Sequence, residues 1–205
     1  MQKDFLSELL GDQVRAKLLR LLVSASDTAY TVDDLRKKLQ IKNGAVIQRE
    51  LTALMKLGVV KTQERETAPD KNGKNTLYKA WAFDREHPYA QALRMFIRDT
   101  QQPIDEGVVT QLRRTGRLAL VIVSGRLLDD EDGEGRIDML IAGEALHEDK
   151  IQAVLRGIEA QRGCEVQYAL FSPKEFKYRF DVQDRLIRDM LDYPHHILLD
   201  KLNLL

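Results

Sequence analysis

Residues 31–58 read TVDDLRKKLQIKNGAVIQRELTALMKLG, and their spacing decides what the first half of the chain can be. Thr31 can cap a helix and Asp33 and Asp34 place negative charge in its first turn, so a helix is predicted to run on through LRKKLQ. Residues 40–43 (QIKN) form a short connection. Ile47, Leu51, Leu54 and Leu57 then recur at helical spacing as an inward face, with Gly58 placed to end the helix. Upstream, Val14, Leu18, Leu21, Leu22 and Ala25 make an apolar stripe on a helix starting at Asp12 and ending near Ser26. Two helices joined by a short turn, with a third supporting them, form a helix-turn-helix pattern.

Downstream of Gly58, VVKTQER (59–65) and TLYKAWAF (76–83) are rich in β-formers and flank a polar segment holding Asn72-Gly73. Asn-Gly favours a tight turn because both residues tolerate positive φ, so a hairpin is predicted. A hairpin directly after the third helix makes a winged helix.

Charge divides the chain as the elements do. The whole carries 32 basic and 32 acidic side chains, yet residues 1–102 hold 18 and 13 of them (+5) and residues 103–205 hold 14 and 19 (−5). Residues 31–80, with 11 basic and 6 acidic side chains, account for the whole +5, so a polyanion is expected to bind there. Residues 127–149 carry nine acidic side chains and only Arg136 as a base, a stretch that repels phosphate.

Stepping about 100° per residue from Ile47 puts Ala45, Gln48, Arg49, Thr52 and Lys56 opposite the apolar stripe. Gln pairs bidentately with adenine and Arg with guanine, so Gln48 and Arg49 are the candidate base readers of a major groove. Lys42 and Asn43 at the helix entrance suit phosphate contacts, and Lys71 and Lys74 on the hairpin suit the backbone or minor groove. An ordinary solvated helix face of the same composition is the alternative.

In the second half, HPYAQALRMFIRDT puts Tyr89, Leu93, Phe96 and Ile97 on one face of a linking or dimerisation helix. A helical segment from Pro103 to about Arg114 follows. LALVIVSG, RIDMLIAG and EVQYALF read as three strands, with the helical EDKIQAVLRGIEAQRG between the last two. Ser172-Pro-Lys-Glu175 predicts a capping box with Pro at the first helical position. From Val182 an amphipathic helix and an apolar tail, HILLDKLNLL, are expected. The fold class is therefore α+β, with residues 1–86 as a winged-helix domain, 87–104 as the linking helix and 105–205 as a sheet domain.

The segments YKAWAFDREHPYAQALRMFIRDT, VSGRLLDDEDGEGRIDMLIAG, CEVQYALFSPKEFKYR and IRDMLDYPHHILL resemble regulators that fuse an N-terminal winged helix to a small nucleotidyltransferase-like domain. The resemblance spans nearly the whole chain. It implies a Gly-Ser turn after the first strand, a pair of carboxylates on the second and a polar or acidic group on a later strand. Those positions fall on Ser124 and Gly125, on Arg136 and Asp138, and on Gln167. The Gly-Ser order is inverted, and Arg136 stands where a metal-binding carboxylate belongs. Nucleotidyl transfer needs two or three carboxylates on Mg²⁺, so the domain is expected to be inactive and to need no cofactor. A lone Asp138 beside an Arg suits a salt bridge, and Arg136 is expected to neutralise the acidic loop before it.

Other chemistry is poorly provided for. Reading a calcium loop from Asp130 puts Ile141 where the bidentate Glu is required. His195-His196 lack a third ligand at metal spacing, and Cys164, the single cysteine, allows no internal disulfide. Neither GxxxxGK[ST] nor GxGxxG is present. No apolar run approaches the roughly 18 residues that span a bilayer, and the first residues lack a leader pattern, so a soluble, cytoplasmic protein is expected. The expected function is transcriptional regulation through double-stranded DNA, as a homodimer joined by residues 88–101 and the apolar tail. An active transferase using Asp129, Asp132 and Asp138, and a protein-interaction module that never meets nucleic acid, are the alternatives.

Overall fold

The computed structural model describes residues 4–66, 77–101, 104, 106–128 and 136–204. It is α+β, and the chain divides into two units, Met1–Gln101 with Glu159–Cys164 and Gln102–Ile158 with Glu165–Leu205. In the first unit, every helix up to residue 56 begins behind a short polar side chain that accepts a backbone N–H. Asp4 caps α1 (Phe5–Leu10), Asp12 caps α2 (Gln13–Ser24), Thr31 caps α3 (Val32–Lys38) and Asn43 caps α4 (Gly44–Lys56). The cap at Thr31 is reciprocal, since the Asp34 carboxylate in turn accepts the Thr31 N–H. Gly58, at φ +74°, turns the chain into β1 (Val60–Glu66), which pairs antiparallel with β2 (Leu77–Phe83). The expected turn residues Asn72 and Gly73, with Lys71 and Lys74, lie outside the described residues.

α5 (Ala90–Asp99) completes this unit. Its core joins Leu6 of α1, Leu18 and Leu22 of α2, Leu35 of α3, Ile47, Leu51 and Leu54 of α4, Trp81 and Phe83 of β2, and Ile97 of α5. Two features were not foreseen. α1 went unassigned because six residues show too little periodicity. Tyr30 exchanges both backbone hydrogen bonds with Trp81, at 2.9 and 2.8 Å, adding a one-residue bridge to the hairpin.

The second unit begins with α6 (Glu106–Leu112) and continues through β3 (Arg117–Ser124), β4 (Met139–Glu144), residues 148–158 of α7 (Glu148–Arg162), β5 (Tyr168–Phe171), α8 (Pro173–Asp181), α9 (Arg185–Asp192) and β6 (His195–Asp200). Its sheet runs β5-β4-β3-β6, with β3 antiparallel to both β4 and β6 and β4 parallel to β5. The unbroken apolar runs in β3 and β4 are explained by burial on both faces. Val121, Val123, Met139 and Ile141 pack with Ile151 and Leu155 of α7. Leu120, Ile122, Leu140 and Ala142 pack with Phe176 of α8 and Ile187 and Met190 of α9. Alternation along β3 sends Val121 and Val123 to one core and Leu120 and Ile122 to the other, and an irregularity in the β3–β4 pairing between Leu118 and Leu120 puts Leu118 with Val121 and Val123.

Several expectations need correction. The tail is not a loose apolar extension: residues 195–200 are β6, and Leu199 packs into one core while Leu202 and Leu204 pack into the other. It was misread because pairing with β3 spans more than 70 residues. Leu57 is 67% exposed, since the helix ends at Lys56 and Val59 and Val60 enter the core instead. On α5, Ala90 and Ile97 are buried and Leu93 packs against them, whereas Tyr89, Met95 and Phe96 are exposed. The second and third predicted strands start later than expected, at Met139 and Tyr168. Ser172 caps α8 as predicted, but the Glu175 carboxylate accepts from Arg179 at 3.1 Å, so the reciprocal half of that box is absent from the bonds seen at this cap.

Candidate functional site

α4 presents two unlike faces because its apolar residues fall at helical spacing. Ile47, Leu51 and Leu54 are buried, while Lys42, Asn43, Ala45, Gln48, Arg49 and Lys56 are exposed and Thr52 is half-buried. Three of these side chains, Asn43, Thr52 and Arg49, are partly committed within the protein. Asn43 Oδ1 accepts the Ala45 N–H at 3.0 Å, leaving its NH₂ as the group able to meet a phosphate. Thr52 Oγ1 donates to the Gln48 carbonyl at 2.7 Å.

Arg49 is tethered by a residue that helical periodicity alone did not reveal. Glu50 is only 3% exposed, and its Oε2 accepts from Arg15 Nε of α2 at 2.9 Å while its Oε1 accepts from Arg49 Nε at 3.0 Å. Asp12, the cap of α2, lies 3.8 Å from the far end of the Arg49 guanidinium. The four charges alternate in sign and tie the start of α2 to the middle of α4. With 67% of its side chain exposed, Arg49 is an oriented cation at the surface of α4. The sequence signal for Glu50 was its place one step from Leu51 and three from Ile47, inside the buried stripe.

The second cluster gathers around Asp138. Four of the five residues expected there, Ser124, Gly125, Asp138 and Gln167, come together, but as a structural latch. Asp138 is fully buried; its Oδ1 accepts the Arg126 N–H at 2.9 Å, and its Oδ2 accepts from Arg126 NH2 at 2.9 Å and from the Gln167 N–H at 2.8 Å. Ser124 Oγ is likewise committed, donating to the Ile137 carbonyl at 2.7 Å. Gly125, at φ +54°, lies so close that an added Cβ would stand 2.7 Å from Asp138 Oδ1. The salt bridge expected of Asp138 exists, but its partner is Arg126. Arg136 instead stacks on the Tyr193 ring, 3.9 Å from its centroid.

Among the described residues no group of three His, Cys, Asp or Glu side chains is placed to hold a metal ion. Asp129 and Asp132 lie outside the described residues. No helix among them is long and apolar enough to cross a membrane. Comparison of the chain with protein-family models, curated proteins and solved structures finds no match.

Proposed function

We propose that the protein is a transcriptional regulator that binds double-stranded DNA through a winged helix, with α4 as the recognition helix and the β1–β2 hairpin as the wing. The observation that carries this is the exposed face of α4, where Gln48 and the oriented Arg49 stand beside Lys42 and Asn43 and opposite a buried stripe. Gln48 and Arg49 read base edges, while Lys42 and Asn43 hold phosphates. Lys71 and Lys74, which fall between β1 and β2 in the sequence, are assigned to further phosphate contacts. The protein acts as a homodimer in the cytoplasm, because one recognition helix covers a half-site and two-fold pairing doubles the contacts. The exposed Tyr89, Met95 and Phe96 of α5 are the residues offered to that pairing.

The second unit is a nucleotidyltransferase-like domain without transferase activity, serving dimerisation, sensing or partner docking. In support, both carboxylate oxygens of Asp138 are occupied by Arg126 and Gln167, and Arg136 brings positive charge where a metal ligand is needed.

Fluorescence anisotropy against DNA from upstream of the protein's own coding region, beside a shuffled duplex, tests the proposal. Wild-type protein should prefer its own upstream DNA by about tenfold or more, and Arg49→Ala should remove that preference. Equal binding to both duplexes would reduce the first unit to a nonspecific anchor, and absence of binding at low salt would exclude DNA as the partner. Nucleotide incorporation that is lost in Asp138→Ala would refute the inactive second unit.

A further inference from the structure

Glu50 is a buried carboxylate on the helix whose other face is exposed, and its two oxygens serve two arginines. Oε2 accepts from Arg15 Nε at 2.9 Å, with Arg15 Nη2 also 2.9 Å away, while Oε1 accepts from Arg49 Nε at 3.0 Å. Arg15 by itself supplies the opposite charge that a buried carboxylate requires. The bond to Arg49 is an addition to that pairing. With 67% of its side chain exposed, Arg49 gains little folding stability from a pair that solvent screens, so the effect of the tether falls on where Arg49 is held.

The tether also decides which part of Arg49 is left to act. A guanidinium carries one N–H on Nε and two on each terminal nitrogen, and the bond to Glu50 uses the one on Nε. Among the described residues the terminal nitrogens make no hydrogen bond, Asp12 Oδ2 standing 3.8 Å from Nη2. Two coplanar nitrogens with donors to spare are the set that pairs with O6 and N7 of guanine. A side chain held before DNA arrives has less rotamer freedom to lose on binding. The same neighbours work against a phosphate role, because the carboxylates of Glu50 and Asp12 repel a phosphate placed on Arg49, whereas a base edge carries no net charge.

We infer that Glu50 is a positioning residue for base reading: it holds Arg49 by Nε so that the terminal nitrogens pair with a guanine edge in the major groove, and Arg49 is not a phosphate contact. The inference rests on the DNA-binding reading of α4 and adds to it the base that is read and the residue that sets its reader.

Anisotropy of the full chain on its upstream duplex, with each guanine replaced in turn by 7-deazaguanine, tests it, since that base lacks N7 and keeps its pairing. Wild-type protein should lose about fivefold or more in affinity at one guanine or more. Arg49→Lys keeps the charge without the fork, and Glu50→Gln keeps the shape without the second charged acceptor. Both should bind the natural duplex about fivefold or more weakly and become indifferent to 7-deazaguanine at that position. In DNA-free protein, nuclear magnetic resonance should show the Arg49 Nε–H exchanging with water about threefold or more slowly than that of the exposed Arg94, and Glu50→Gln should abolish the difference. Should Glu50→Gln fail to fold, Arg49→Lys and the exchange rates of wild-type protein decide. No sensitive guanine, a 7-deazaguanine effect that survives in Arg49→Lys, a folded Glu50→Gln that binds as wild type, or an Arg49 Nε–H as fast as that of Arg94 would each overturn the inference and leave DNA binding standing. A wild-type protein that binds neither its upstream duplex nor a shuffled one would overturn both.

Discussion

Asp138 and Gly125 show how tightly one residue can hold its neighbour's identity. The carboxylate is fully buried and accepts hydrogen bonds from Arg126 and Gln167, so it has no room to retreat from an added methyl group. Gly125→Ala combines a Cβ contact at 2.7 Å with an L residue at φ +54°. It should cost about 2 kcal/mol in denaturant unfolding; a loss within error of zero would mean the latch is loose. Asp4 contributes to how the first unit meets acid. Burial pushes its carboxyl up, but the bonds from Arg20 and Ser7 outweigh burial and hold it below its ordinary value of 3.8. Arg20 reaches both oxygens, at 3.0 and 2.6 Å. A carboxyl lowered on folding binds its proton more weakly in the native state, so its contribution is complete above about pH 4 and is lost as the pH falls through the lowered value. Asp4→Asn should therefore be less stable than wild type at neutral pH, with the gap closing below about pH 4 in denaturation titrations. A gap that is constant with pH would rule out the Asp4–Arg20 pair as its cause.

At the scale of elements, helix starts were the most legible part of the fold. Asp12, Thr31 and Ser172 all cap the helices predicted to follow them, because a cap and its N–H partner lie within three residues of each other. Thr31→Ala removes one acceptor from the reciprocal cap of α3 and should lower stability by about 1 kcal/mol, with Thr31→Ser restoring most of it in thermal melts. Strand ends were less legible. β4 begins at Met139, and the Asp138 backbone just before it is already bonded to Ser124 of β3 and to Gln167, partners that no local pattern announces. β6 was read as a tail for the same reason: HILL is apolar in sequence, and only β3 decides that it becomes a strand. On α4 the exposed face was legible from spacing. The buried Glu50 was not, since a charged residue inside an apolar stripe makes sense only once Arg15 stands opposite it.

At the scale of the molecule, the opposite charges of the two halves predict how DNA binding should respond to salt. If the first unit supplies the contacts, log affinity should fall against log salt concentration with a slope of about −3 to −5, as expected for a few neutralised phosphates. Arg49→Ala should make that slope shallower by no more than about one, and an affinity indifferent to salt would exclude phosphate contacts. The expected α+β class was legible in this sequence, as were the order of most helices and strands, their caps and the solvent-facing side of α4. Each rests on apolar period or on a hydrogen bond within one turn, interactions that close over a few residues. The tertiary structure alone decided which distant polar groups the buried or half-buried charges meet. Asp4 finds Arg20 across 16 residues, Arg15 finds Glu50 across 35, and Asp138 finds Arg126 across 12 and Gln167 across 29. With 32 bases and 32 acids in the chain, local sequence prefers none of these ion pairs, nor does it single out the Gln167 N–H as a partner for Asp138. Packing selects them, by burying particular polar groups where an unpaired charge costs several kcal/mol.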